Sequence, residues 1–268
     1  MSLFVQSIGS SSSGNAYLIT GGSTRILLDA GLSAKRIKEG MAECGVRPED
    51  VQAMLLTHEH IDHVRSVATM AKSCAEARII ASRGTVLSSD KFERIPDERM
   101  ELVEAQTERR IGDLRIRTFA LSHDAAEPIG YSITDGEEQV TIATDTGVVT
   151  DEIFEEIRTA DKLVLESNHE ERILEMGPYP YSVKRRILSD HGHLSNVSTG
   201  IALAHVLEQR QREGRRPPHI LLAHLSLKNN TPTQALLTVR NILDENDFRL
   251  GRDYEMGVAA RTVSVPLR

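Results

Sequence analysis

The hydrophobic pattern alternates short apolar runs with longer stretches of helical spacing, which predicts an α/β protein. The apolar runs predict strands at residues 3–8, 16–20, 24–30, 51–56, 77–82, 100–105, 114–121, 129–134, 139–143, 163–165 and 219–223, with further short strands near the C-terminus. Apolar residues three and four positions apart predict helices at residues 33–44, 62–75, 84–90, 151–158, 170–176, 182–189, 195–211 and 231–244.

The order of these elements gives two β-rich halves with helices outside them. Gly21-Gly22 and Asp135-Gly136 each separate two apolar runs and predict hairpin turns. This arrangement favours a four-layer α/β/β/α sandwich, and we expect one domain over residues 1–268. A doubly wound parallel sheet is the alternative, but frequent hairpins and the lack of a Gly-rich nucleotide loop after the first strand disfavour it.

Composition narrows the class of protein. The 268 residues are 40% hydrophobic and 26% charged, and no apolar run approaches the length of a membrane span. The N-terminus lacks the pattern of a signal peptide, so we expect a cytoplasmic protein with reduced Cys44 and Cys74. The net charge of -7 argues against nucleic-acid binding by bulk electrostatics, although it permits a nuclease with a local cationic site.

The stretch Thr57-His58-Glu59-His60-Ile61-Asp62-His63 follows the apolar run that ends at Leu56. His58, His60 and Asp62 stand two apart, so extended backbone would point their side chains in one direction, with His63 turning in from the next element. Imidazole and carboxylate without thiolate indicate a catalytic metal site with open positions. The alternative is a histidine-rich surface loop.

The arrangement His-x-His-x-Asp-His resembles the first metal motif of metallo-β-lactamase-fold hydrolases. Longer stretches are similar to the YycJ/WalJ-like branch of that superfamily, namely Leu165-Glu166-Ser167-Asn168-His169-Glu170, Gly177-Pro178-Tyr179-Pro180, Gly192-His193-Leu194-Ser195-Asn196 and Ala223-His224-Leu225-Ser226. The resemblance covers nearly the whole chain. It implies the αββα sandwich without a β-CASP insertion and a 5′-to-3′ DNA exonuclease activity.

The resemblance also implies a complete set of metal ligands. One metal would be held by His58, His60 and His123, a second by Asp62, His63 and His224, and Asp145 would bridge them. Asp62 is also predicted to be catalytic. Two divalent ions, zinc or manganese with iron as a third candidate, suit hydrolysis of a phosphodiester.

In phosphodiesterase relatives a histidine placed like His193 approaches the phosphate, paired with an acidic residue placed like Glu166. A carboxylate-oriented imidazolium would donate a proton to the leaving alkoxide. Alternatively, His193 only belongs to the loop before a helix capped by Ser195.

Four polar residues are predicted to bind substrate: Ser13, Asn15, Asn168 and Ser195. The first two lie in the small-residue loop 9–15, which could also be a plain flexible loop. His169 and His191 are as compatible with a surface position as with a role in the site. The basic run 184–186 favours a solvated helix face over a phosphate contact.

These residues support three functional hypotheses. The first is a dinuclear metal-dependent phosphodiesterase acting on nucleic acid, DNA before RNA. The second is a small-molecule hydrolase of the same fold that cleaves a cyclic phosphodiester or a thioester. It stays open because only 4% of the residues are aromatic, which leaves little surface for stacking on single-stranded nucleic acid. The third is a metal-binding scaffold without turnover. No membrane partner is expected, and a homo-oligomer stays open.

Overall fold

The computed structural model describes residues 3–267. Its strands are β1 (Phe4–Gly9), β2 (Ala16–Gly21), β3 (Thr24–Leu28), β4 (Ala53–Leu55), β5 (Arg78–Ser82), β6 (Met100–Val103), β7 (Glu108–Ile111), β8 (Leu114–Ala120), β9 (Ile129–Thr134), β10 (Gln139–Ala143), β11 (Lys162–Glu166), β12 (His219–Ala223), β13 (Glu255–Val258) and β14 (Val265–Leu267). The helices are α1 (Ala34–Glu43), α2 (Ile61–Val64), α3 (Val67–Ser73), α4 (Arg83–Leu87), α5 (Asp151–Thr159), α6 (Glu171–Met176), α7 (Tyr181–Ile187), α8 (Asn196–Arg212) and α9 (Pro232–Glu245). Short 3₁₀ helices span Pro48–Asp50, Asp90–Phe92 and Asp97–Arg99.

The strands form two mixed sheets of seven strands each, in the orders β14-β1-β2-β3-β4-β5-β6 and β13-β12-β11-β10-β9-β8-β7. Strands β3 to β6 run parallel in the first sheet, and β10 to β13 run parallel in the second. The remaining pairs are antiparallel. Two separate sheets exclude the doubly wound alternative.

Three apolar cores separate four layers. Side chains such as Ile26 and Ile133 fill the space between the two sheets. The outer face of the first sheet packs against α1 and α3, and the outer face of the second packs against α5, α8 and α9. The predicted αββα sandwich is therefore confirmed. No helix in the described range 3–267 is long and apolar enough to cross a membrane.

The predicted helix at 62–75 is wrong as one element, because α2 ends at Val64 and α3 begins at Val67. The Ser66 N–H donates to the Ala30 carbonyl at 2.8 Å, and its Oγ donates to the Leu32 carbonyl at 2.6 Å. These bonds to a neighbouring loop replace helical bonds, as serine side chains and free amides can do. The break ties the metal motif to the end of β3.

Strand β7 was not predicted. Its sequence Glu108-Arg109-Arg110-Ile111 has three exposed polar residues and only one buried position. It lies at the edge of the second sheet and pairs with β8 alone. Edge strands tolerate charged residues on both faces. The segment therefore lacks the alternation of apolar and polar residues from which a strand is predicted.

Candidate metal centre

The seven predicted ligands converge at the edge of the sandwich where strands β3, β4, β8, β10 and β12 end. The ligand atoms of His58, His60 and His123 lie within 4.8 Å of one another. The same limit encloses those of Asp62, His63 and His224. Residues up to 166 positions apart along the chain thus meet in two adjoining clusters because their strands point to one edge.

Asp145 lies between the two clusters. One carboxylate oxygen is 3.2 Å from His63 Nε2, and the other is 3.2 Å from His224 Nε2 and 3.8 Å from His123 Nε2. Its side chain is 2% exposed, so these neighbours replace water around the charge. The carboxylate is placed where a ligand common to both clusters would have to lie.

The backbone of the motif differs from the prediction at Asp62. Extended backbone ends at His60, and α2 begins at Ile61, so Asp62 and His63 belong to the first helical turn. Gly31 makes this turn possible, because a Cβ at that position would lie 1.5 Å from the Asp62 carbonyl oxygen. The Asn15 N–H also donates to that carbonyl at 2.9 Å.

Four of the imidazoles are oriented through the nitrogen that faces away from the cluster. His63 Nδ1 lies 2.7 Å from Asp29 Oδ2, and His224 Nδ1 lies 2.9 Å from Glu166 Oε1. His123 Nδ1 is 3.0 Å from the Gly192 carbonyl, and His58 Nδ1 is 3.1 Å from Thr57 Oγ1. Histidines that ligate metals are held in this way, which fixes the tautomer and the ring orientation.

Asp29 was not predicted as a site residue. It follows β3 directly, is 1% exposed, and accepts hydrogen bonds from the Thr57 N–H at 2.9 Å and the Thr57 hydroxyl. The available signal was an acidic residue inside the apolar run 24–30. Its carboxylate orients His63 and connects the ends of β3 and β4.

Three site residues adopt left-handed backbone, with φ of 58° at Asp29, 64° at Asp145 and 57° at His224. This conformation is unfavourable for residues with a Cβ and occurs mainly where surrounding contacts enforce it. At His224 the enforcing contact is the N–H bond to Ser10 Oγ at 3.0 Å. The strand ends are therefore strained at the positions that carry the acidic and imidazole groups.

The donor set fits divalent cations. His58 Nε2 is fully buried without a hydrogen-bond partner and faces the His60 and His123 rings. Burial, reinforced by the neighbouring His63, lowers the pKa of His58 well below its usual range, so this ring is neutral and has a lone pair to offer. An uncompensated buried polar atom in such surroundings costs free energy that a cation would recover.

The electrostatic balance in the second cluster also favours positive charge. Burial disfavours ionisation of His224, but Asp145, Asp62 and Glu166 outweigh it and raise its pKa to about 10. Burial likewise opposes ionisation of Asp145, yet His224 and His63 hold its pKa well below the ordinary value. Without metal, protons on the imidazoles supply the positive charge that divalent ions would supply.

Glu166 and His193, predicted to act together, are in contact. His193 Nδ1 lies 2.7 Å from Glu166 Oε1, and Glu166 Oε2 accepts the Thr146 N–H at 2.8 Å. Burial would raise the pKa of Glu166, but His193 and His224 lower it to about 2, so it remains a carboxylate. The His193 side chain is 17% exposed, which leaves this ring at the mouth of the site.

The four predicted substrate-binding residues make contacts within the protein. Asn15 is fully buried, and its Nδ2 lies 3.1 Å from His63 Nε2. Asn168 Nδ2 donates to the His224 carbonyl, and Ser195 caps α8 while donating to Glu171. Ser13 is half-buried, and its carbonyl accepts from Arg65. These contacts position the site, and direct substrate binding by any of the four stays a prediction.

His191 is exposed, whereas His169 is 1% exposed and neither of its ring nitrogens has a hydrogen-bond partner. A surface position for His169 is therefore wrong. Its carbonyl accepts the Asn196 N–H at 2.8 Å, which draws the residue inward beside the start of α8. Burial, with a smaller contribution from His193, lowers the pKa of His169 to about 4.

Replacing His169 with leucine is expected to flatten the acid dependence of stability. The folded pKa of about 4 lies below the ordinary value, so the unfolded chain binds this proton first as the pH falls. The contribution of His169 to the free energy of unfolding is full above about pH 6.5 and declines toward pH 4, by about 3 kcal/mol in total. Urea unfolding of metal-free wild type and His169→Leu between pH 7.5 and 4.5 measures the difference; parallel curves would contradict it.

Comparisons with known proteins agree with this fold. Residues 24–212 match the family described as the beta-lactamase superfamily domain. Exodeoxyribonuclease YycJ of Bacillus anthracis is 34% identical over 257 residues, covering 96% of this chain and 95% of that protein. Exodeoxyribonuclease WalJ of Streptococcus pneumoniae is 34% identical over 263 residues, covering 97% and 95% respectively.

Among solved structures, unliganded yeast PDE1 superimposes with a TM-score of 0.73, covering 98% of this chain and 99% of its own. The two sequences are only 13% identical, so this likeness concerns the fold.

Proposed function

We propose that this chain, which belongs to the beta-lactamase superfamily, is a metal-dependent phosphodiesterase that degrades DNA from the 5′ end. The observation that carries the proposal is the pair of ligand clusters joined by Asp145, with the Glu166–His193 pair at their mouth. The names of two relatives matched over nearly the full chain support DNA as substrate.

His58, His60 and His123 would hold one divalent ion, Asp62, His63 and His224 the second, and Asp145 would bridge them. Zinc and manganese suit this set of nitrogen and oxygen ligands, and iron is a third candidate. Two such ions supply Lewis-acid polarisation of a phosphoryl group and activation of water at neutral pH.

The chain's own residues would supply orientation and a proton. Asp29 and Glu166 fix the His63 and His224 rings through Nδ1, which leaves each Nε2 directed into the site. Glu166 remains ionised and holds His193 Nδ1 at 2.7 Å, so the opposite nitrogen of His193 is the one that can face the substrate. From there an imidazolium would protonate the departing alkoxide of the DNA chain.

The test is a polarity-resolved nuclease assay with metal-loaded protein on single- and double-stranded DNA and RNA. A 5′ label on DNA should appear at once as a mononucleotide, whereas a 3′ label should appear on progressively shortened chains. Phosphorothioate linkages at the 5′ end should block degradation, and the same linkages at the 3′ end should not.

Three results would contradict the proposal. Degradation that starts at the 3′ end overturns the polarity, and degradation of RNA alone overturns the substrate. Failure to cleave any nucleic acid or a chromogenic phosphodiester, with two metals bound, overturns the reaction itself. Faster turnover of a thioester would favour the small-molecule hydrolase.

A further inference from the structure

The segment from α6 to α7, residues 171–187, forms a rim beside the candidate metal centre, and we refer to it as the α6–α7 arm. Its last residue, Ile187, accepts the His193 N–H at 3.0 Å. Arg186 pairs with Asp124, whose Oδ1 lies 3.4 Å from His123 Nε2. One end of the arm is therefore bonded to the backbone of His193 and, through Asp124, lies beside His123 of the first ligand cluster.

The arm exposes apolar and aromatic side chains that do not pack against the rest of the protein. Met176 is 88% exposed and Tyr181 is 76% exposed. Within residues 3–267 every other phenylalanine and tyrosine side chain is buried or half-buried, so Tyr181 is an exception. None of the residues of α7 is buried. A large side chain left in water beside a reaction site marks a surface that contacts a ligand.

Cations accompany the aromatic rings of the arm. The Arg185 guanidinium lies 5.9 Å from the Tyr181 ring centroid, and Lys228 Nζ lies 5.4 Å from the Tyr179 ring centroid. Lys228 is exposed in the loop that follows His224, a member of the second cluster. Its ammonium group therefore adds a positive charge between that cluster and the arm. Arg172 and the basic run 184–186 outnumber Glu171 and Glu175 here, although the chain as a whole is acidic.

We propose that the α6–α7 arm binds the single-stranded DNA that enters the site, with Tyr181 and Tyr179 stacking on bases and Arg185 and Lys228 neutralising phosphates. This inference rests on the proposed function. Stacked aromatic rings flanked by cations are the usual means of holding single strands without sequence preference. The exposed Tyr181 ring can accept an unpaired base, with the half-buried Tyr179 ring beside it, whereas bases in a duplex are already stacked on each other.

The test measures binding separately from cleavage. Metal-loaded protein is titrated into fluorescein-labelled oligothymidylate whose 5′ phosphorothioate linkages prevent degradation, and anisotropy gives the dissociation constant. Tyr181→Ala should weaken binding about tenfold, the effect of losing one base stack, while Tyr181→Phe should bind like wild type. Arg185→Ala and Lys228→Ala should each lower the slope of log affinity against log salt by about 0.7. Leu237→Ala removes an exposed side chain of α9, outside the arm, and is the control that should behave like wild type.

Turnover provides the second readout. In Tyr181→Ala, the kcat/KM for a single-stranded oligonucleotide relative to that for bis(p-nitrophenyl) phosphate should fall about tenfold. If wild type degrades DNA and Tyr181→Ala binds and degrades it equally well, the arm does not bind the strand, although the proposed function survives. If wild type degrades no DNA, the proposed function fails first. Equal losses of DNA affinity in Tyr181→Phe and Tyr181→Ala would also overturn the inference. So would a sedimentation experiment in which Tyr181→Ala has a different oligomeric mass from wild type.

Discussion

Asp145→Asn is expected to reduce phosphodiester hydrolysis by about a thousandfold or more, equivalent to roughly 4 kcal/mol of transition-state stabilisation. The carboxylate contacts His63 Nε2 and His224 Nε2 at 3.2 Å each and is the shared group between the clusters. Asparagine keeps the shape but removes the charge and replaces one oxygen ligand with an amide nitrogen, which does not bind such metals. Mass spectrometry should find fewer than two metals per chain.

A matched control separates this effect from a general change of charge. Asp90→Asn removes a carboxylate from an exposed 3₁₀ turn and should leave metal content and turnover unchanged. Circular dichroism should show that both variants fold. If Asp145→Asn retains two metals and wild-type turnover, Asp145 is not the bridging ligand, and the dinuclear interpretation of the two clusters is wrong.

The fold was predictable where an apolar run lies between turns. β9, β10 and β12 have the bounds that the pattern predicts, because Asp135-Gly136 and the polar residues before His219 delimit them. Polar edge strand β7 was not predictable, since its stability depends on pairing with β8. The break at Ser66 was equally hidden, because its partner is the carbonyl of Ala30, 36 positions earlier.

The candidate site was likewise predictable only in part. The candidate ligands of the first motif were predictable because their imidazoles and carboxylate follow an apolar strand at close spacing, whereas His123, Asp145 and His224 were implied only by the family resemblance. The groups that orient them were not predictable, since Asp29 becomes an orienting carboxylate only once β3 lies beside β4 and His63 turns back toward it. Whether a side chain such as Tyr181 is exposed also depends on how the arm packs, which no local pattern contains.

The Glu166–His193 contact separates the roles proposed for these two side chains, which the sequence had predicted to be catalytic together. Glu166 accepts from the Thr146 N–H and lies within 2.9 Å of both His193 Nδ1 and His224 Nδ1. One buried carboxylate thus couples the proposed proton donor to a proposed metal ligand. We therefore propose Glu166 as a positioning residue, since of the two only His193 has exposed surface with which to touch a substrate.

His193→Ala is expected to lower the kcat for DNA by about a hundredfold to ten-thousandfold, the usual contribution of a general acid. DNA cleavage expels an alkoxide, which needs a proton, whereas p-nitrophenolate departs without one. The kcat for a p-nitrophenyl phosphodiester should therefore fall by less than tenfold, and metal content should remain at the wild-type value. His191→Ala, on the exposed surface two residues away, is the control for this loop. Equal losses on both substrates would show that His193 acts by binding or by structure, because a proton donor must discriminate between leaving groups of different basicity.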